Sequence, residues 1–138
     1  MAHLLPTLAR YLPPLALMGV IFWLSAQPSL DSGLGVWDTV LRKIAHMLEF
    51  GGLWWLWWRA LRHRSPVPAT VIALAYAISD EVHQSFVDGR FGSPVDVAID
   101  AAGIGLAGLI VVAYHRMRSG TPSLREPTAA PVRRGDSS

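Results

Sequence analysis

Residues Ser79–Asp100, SDEVHQSFVDGRFGSPVDVAID, bring Asp80, Glu81, His83, Gln84, Arg90, Asp96 and Asp100 together in one short stretch. Ala69–Ile78 ahead of it bears no charge, and neither does Ala101–Tyr114 behind it. Ionisable groups beside membrane-grade sequence are expensive to desolvate, so they face a partner, a water-filled cavity or a substrate. The pattern predicts apolar helices that carry a polar cluster at one end.

Working outward, the apolar residues fall into four blocks: Tyr11–Ala26, Ile44–Leu61, Pro66–Ile78 and Val95–Tyr114. A bilayer core needs about 20 helical residues. The second and fourth blocks reach that length, whereas the first and third do so only if helix continues into flanking polar residues. The first block resembles a secretory signal, but Pro28 follows almost directly on the only small-residue stretch, which makes a poor cleavage site, so we read a retained span. The predicted fold is all-α: a polytopic membrane protein with four transmembrane helices in a bundle, over residues 1–118. Residues 119–138 turn to Ser, Pro, Thr, Ala and Arg, too polar to bury a core, and are predicted to be a disordered cytoplasmic tail.

Net charge is +2 and there are no cysteines. The first argues against nucleic acid as a partner, and the second excludes disulfides and thiolate metal sites. Charge placement sets the orientation. With four spans and cytoplasmic ends, Arg10, Arg59, Arg62, Arg64, Arg116, Arg118, Arg125, Arg133 and Arg134 lie inside, against Arg42, Lys43 and Arg90 outside. The positive-inside rule favours this arrangement, which places the polar cluster on the outer side of the membrane.

Local signals refine the picture. Pro13 and Pro14 are tolerated in a first helical turn. Ser29–Gly35 reads as an irregular outer loop, and Asp38 is placed to cap the second helix. Pro66 and Pro68 break the chain after the Arg-rich turn. Asp88-Gly89-Arg90 with Gly92-Ser93-Pro94 reads as a tight outer turn, with Ser93 capping the last helix. Within that helix Gly105 and Gly108 offer a small-residue face for a neighbour. Trp54, Trp55, Trp57 and Trp58 read as interfacial anchors and lipid-facing bulk.

Helical spacing groups the polar residues. Lys43, His46 and Glu49 recur at intervals of three, as do Glu81 and Gln84; Asp80 pairs with His83 and Gln84, and Asp96 with Asp100. In a bundle these faces converge on one outward-opening pocket. Plainer readings stand beside this: His46 with Glu49 as an interhelical hydrogen-bonded pair, Arg90 with Asp96 as an ion pair fixing the turn, and Asp88 as solvated turn chemistry.

Lys43-x-x-His46-x-x-Glu49-Phe50, then Ser79-Asp80-Glu81-x-His83-Gln84, then Gly89-Arg90-x-Gly92-Ser93-x-x-Asp96-Val97, followed by a Gly-rich last helix, resemble the VanZ-like family over most of Leu15–Val112. The resemblance implies a small four-span bacterial membrane protein, in a family named for a member associated with low-level resistance to the glycopeptide teicoplanin. It implies no particular cofactor or mechanism. One departure is Asp100, where the family more often has Asn; the extra carboxylate adds slight weight to a metal or proton role, or merely adds a protonated Asp.

Three functions compete. In the first, the pocket binds or modifies an envelope or lipid-linked molecule, such as a lipid-linked cell-wall precursor or a glycopeptide. His46 or His83 is then the candidate general base, oriented by Glu49 or Glu81. Lys43 and Arg90 hold phosphate or carboxylate, and Asp80, Gln84, Asp96 and Asp100 complete the substrate contacts. In the second, a metal-dependent membrane enzyme uses His46, Glu49, Glu81, His83, Asp96 and Asp100 as ligands, although the spacing matches no diagnostic metal motif. In the third, a non-catalytic binding or scaffold protein uses the same groups to hold its bundle together. The expected topology is open to cysteine labelling from outside the cell, which should reach a Cys at Ser32 or Asp88 and miss one at Ser65 or Ser123. Labelling at Ser65 with protection at Asp88 would invert the orientation.

Overall fold

A computed structural model of the chain describes residues 8–28 and 35–119. Among them are four α-helices and no strand: α1 (Leu12–Ser25), α2 (Val36–Ala60), α3 (Pro66–Gln84) and α4 (Pro94–Ser119). The predicted outer loop over residues 29–34 and the predicted tail over 120–138 lie outside the described residues.

The helix boundaries follow local chemistry. Tyr11 precedes α1, with prolines in the first turn where no intrahelical N–H bond is lost. Gly35, at φ 59°, precedes α2; Asp38 sits inside the first turn and Gly35, not Asp38, is the N-cap. Ser65 accepts a hydrogen bond from the Val67 N–H at 3.3 Å and caps α3, which Pro66 then starts. Ser93 does the same for α4, accepting from the Val95 N–H at 3.2 Å.

α2 is the centre of the bundle and packs against the other three helices, while α1 packs on α2 and α3. Ile21 of α1, Phe50, Leu53 and Trp54 of α2, Ala69, Ala73 and Ala77 of α3 and Ile104 of α4 form the core. The three alanines recur every four residues, so one stripe of α3 is narrow enough for its neighbours to approach closely. The Trp54 indole N–H donates to the Thr70 hydroxyl at 2.8 Å, and the Tyr76 hydroxyl donates to the Met18 carbonyl at 2.6 Å. These bonds tie α3 to α2 and to α1.

Two expectations are corrected here. Of Trp54, Trp55, Trp57 and Trp58 in the C-terminal half of α2 only Trp55 is exposed; Trp54 is buried, and Trp57 and Trp58 pack against the core. A run of four tryptophans spans more than one full helical turn, so most of them must turn away from solvent or lipid once three helices surround α2. Of the expected small-residue face, Gly108 lies against the Trp54 ring and Ala107 against Gly51, but Gly105 does not take part, and the tightest backbone approach is at Gly103. A Cβ at Gly103 would overlap the Met47 backbone, and one at Gly51 would stand 3.0 Å from the Gly103 carbonyl oxygen. Nothing lies within 4 Å of a Cβ at Gly105. Gly103 and Gly105 are two residues apart, about 200° around the helix, so only one of them can face α2.

By length and composition α4 is apolar enough to cross a membrane. α1 is apolar but has only 14 residues, short of the about 20 that a bilayer requires. In α2 and α3 the ionisable residues interrupt the apolar run.

The seam makes an expected contrast. Gly103→Ala forces Met47 backbone apart and should cost about 1–3 kcal/mol, as overpacking does. Gly105→Ala enters open space and should be neutral, or stabilising by up to about 1 kcal/mol through helix propensity. Thermal unfolding of the two variants in detergent distinguishes them, and equal behaviour would refute the close seam.

Candidate functional site

The N-terminal half of α2, the last turn of α3, the connecting turn 85–93 and the first turns of α4 enclose one cavity of about 230 Å³. Arg42, Lys43 and His46 reach it from α2, Glu81 and Gln84 from α3, Arg90 from the turn, and Asp96 and Asp100 from α4. Arg42 and Lys43 stand four and three residues before His46, Glu81 three before Gln84 and Asp96 four before Asp100, so each helix contributes one side. The turn lies tight on α3: a Cβ at Gly92 would stand 2.5 Å from the Glu81 carbonyl oxygen, leaving room only for glycine.

Across the α2–α4 seam the Lys43 ammonium donates to Asp96 Oδ1 in an ion pair about one-third exposed. The expected Arg90–Asp96 pair is therefore replaced. Arg90 instead donates to the Ser25 carbonyl at 2.9 Å, joining the cavity wall to the end of α1. Burial pulls the Arg90 guanidinium below its ordinary pKa, and Arg42 pushes in the same direction. Its starting value is high enough that it keeps its charge.

One turn deeper, His46 Nδ1 approaches Asp100 Oδ1 at 3.3 Å, without the geometry of a hydrogen bond. Asp100 is fully buried and neither carboxylate oxygen has a hydrogen-bond partner. Glu81 is buried too: its Oε2 accepts from the Ser93 N–H at 2.8 Å, while Oε1 has no partner. One ligand atom each from His46, Glu81 and Asp100 can be chosen so that all three lie within 4.8 Å of one another.

The remaining sequence candidates stand apart from that cavity. Glu49 lines a second, more open cavity of about 340 Å³ that shares Arg42, His46 and Arg90 with the first. Asp80 is buried beside it in a separate network, accepting from the Ser25 hydroxyl at 2.8 Å and from the Gln84 amide at 2.7 Å. His83 stacks on Phe22, ring centroids 4.1 Å apart and planes 21° from parallel, and lines neither cavity. The structure thus gathers Lys43, His46, Glu81, Gln84, Arg90, Asp96 and Asp100, and leaves Glu49 at the second cavity, Asp80 in its buried network and His83 against Phe22.

Two participants escaped the sequence reading. Arg42 lines both cavities, yet in the sequence it counts only as an interfacial charge; its position four residues before His46 was the available signal. Ser25 closes the Asp80 network and accepts from Arg90, but a single Ser at the end of an apolar block carries no pattern.

The model of the VanZ/LLP1 family matches residues 7–115, and the chain belongs to that family. Comparison with curated proteins and with solved structures gives no match.

The Asp80 network should behave as a structural lock. Asp80→Ala leaves a buried hydroxyl and a buried amide with one partner fewer, each costing about 1–3 kcal/mol, so membrane abundance and thermal stability should fall together. A stable, abundant Asp80→Ala protein would show that the network does not hold α1 to α3.

Proposed function

We propose that this VanZ/LLP1-family protein is a four-span integral membrane protein with both ends cytoplasmic, whose outward-facing cavity binds the anionic head of a lipid-linked envelope molecule. Through that ligand it contributes to glycopeptide resistance. The observation that carries the reading is the convergence of Arg42, Lys43 and Arg90 with His46 around one cavity at the helix ends. Guanidinium and ammonium groups placed together at a cavity are suited to phosphate oxygens.

The outer surface supports a lipid environment. Leu12 and Trp23 of α1, Leu48 of α2, Val71 and Ile78 of α3, and Leu109 and Ile110 of α4 are all exposed. Apolar surface on every helix is costly in water and ordinary in lipid. The ionisable residues that interrupt the apolar runs of α2 and α3 turn mostly onto the cavities, where they need not meet acyl chains. Basic residues concentrated at the other end of the bundle favour the same orientation.

Size narrows the ligand. A cavity of about 230 Å³ lies below the roughly 300–1,000 Å³ of sites for drug-sized molecules. It suits a phosphate or sugar-phosphate head rather than a whole glycopeptide. If the bound head reacts, His46 is the candidate base, and Asp100 at 3.3 Å is the group placed to orient it.

The test is binding of polyprenyl phosphate by the purified protein in nanodiscs. Arg42→Gln and Lys43→Gln should each weaken binding about 10–100-fold, the loss expected for a charge-assisted hydrogen bond, with helicity and abundance retained. The same variants should lose protection against teicoplanin in a sensitised host. Folded variants that bind and protect like the unaltered protein would refute the reading.

A further inference from the structure

We propose that His46, Glu81 and Asp100 form a binding site for one divalent first-row transition-metal ion, of the Zn²⁺ or Mn²⁺ type, in the wall of the cavity. The inference stands on these three side chains and does not need the lipid ligand.

Three observations converge on it. Ligand atoms of the three residues lie within 4.8 Å of one another, although they come from three different helices. Metal–nitrogen and metal–oxygen bonds of about 2.0–2.2 Å place neighbouring ligand atoms about 3.0–3.6 Å apart. Side-chain rotations that draw the groups in by about an ångström therefore complete the set. Secondly, both oxygens of the fully buried Asp100, and Oε1 of Glu81, have no hydrogen-bond partner. Burying carboxylates in this way is expensive unless a charge or donor compensates them. Of the neighbouring cations, Lys43 is engaged with Asp96 and Arg90 with the Ser25 carbonyl. A protonated His46 brings one positive charge against two carboxylates, whereas a divalent ion bound by neutral imidazole balances both.

Thirdly, Glu81 is already held as a ligand should be. The Ser93 N–H fixes Oε2 at 2.8 Å and leaves Oε1 buried without a partner, the outer-shell support that ligating carboxylates usually have. One imidazole with two carboxylates suits zinc or manganese better than the all-oxygen sets of calcium and magnesium. Positions of the ion not taken by protein face the cavity, beside Arg42 and Lys43, where a water or an anion oxygen can enter.

The experiment uses the full chain in detergent, stripped with chelator and titrated with Zn²⁺ or Mn²⁺ alone, followed by calorimetry, metal analysis and thermal unfolding. One saturable equivalent and a raised Tm are expected. Asp100→Asn and Glu81→Gln should each weaken binding by more than about 10-fold, the loss that even outer-shell changes produce. Asp88→Asn, in the exposed turn, should bind as the unaltered protein does. If Asp100→Asn does not fold, Glu81→Gln and the stoichiometry of the unaltered protein decide. No saturable binding of either ion, or binding retained by the folded carboxylate variants, overturns the site. Polyprenyl phosphate binding that survives such a failure would leave the ligand reading standing by itself, so the two can fail separately.

Discussion

The closeness of α2 and α4 governs the rest of the structure. Gly103 lies directly against the backbone of Met47, and Gly51 faces Gly103 from the other side. At that separation Lys43 meets Asp96 and His46 meets Asp100. The spacing explains both contacts: Lys43 and Met47 are four apart, as are Asp96 and Asp100, so the same faces that carry the small residues carry the ionisable ones one or two turns further out. Larger side chains at the seam would move α4 outward and open the cavity wall. The polar chemistry thus depends on what is missing from two glycines.

This dependence explains what could be read from the sequence. Helix content and most boundaries were legible, because Pro13, Pro14, Ser65-Pro66 and Ser93-Pro94 are strong local signals and act where they stand. The grouping of Lys43 with His46 and of Asp96 with Asp100 was legible too, since helical periodicity puts each pair on one face, and the Gly-rich turn after Glu81 keeps Arg90 near them. Which residue meets which across the seam was not. Arg90 and Asp96 are close in sequence and suggest a local pair, yet the turn carries Arg90 to the Ser25 carbonyl and leaves Asp96 to Lys43. His83 belongs to the same motif as Glu81 but sits about 200° around α3, so it faces Phe22 instead of the cavity.

The tryptophans show the same limit. Their clustering at one end of α2 suggests a lipid interface, but burial depends on which neighbours flank the helix. Trp54 lies over Gly108 and finds Thr70 for its indole N–H, so it spans from α4 to α3 and fills the space the small residues leave. Large and small residues here are two halves of one packing solution, and neither half shows its partner in the sequence. Family membership over residues 7–115 adds the class of protein to this picture, while the chemistry rests on the side chains.

The contact between Arg90 and the Ser25 carbonyl has a mechanical consequence. The last carbonyls of a helix have no partner within it, and at the end of α1 Arg90 supplies one. The same guanidinium lines both cavities. An anion that draws Arg90 inward therefore removes a terminal bond from α1, leaving the Asp80 network and the Tyr76–Met18 bond as its polar ties to α3. Filling the cavity with such an anion and loosening the end of the first helix would be one event.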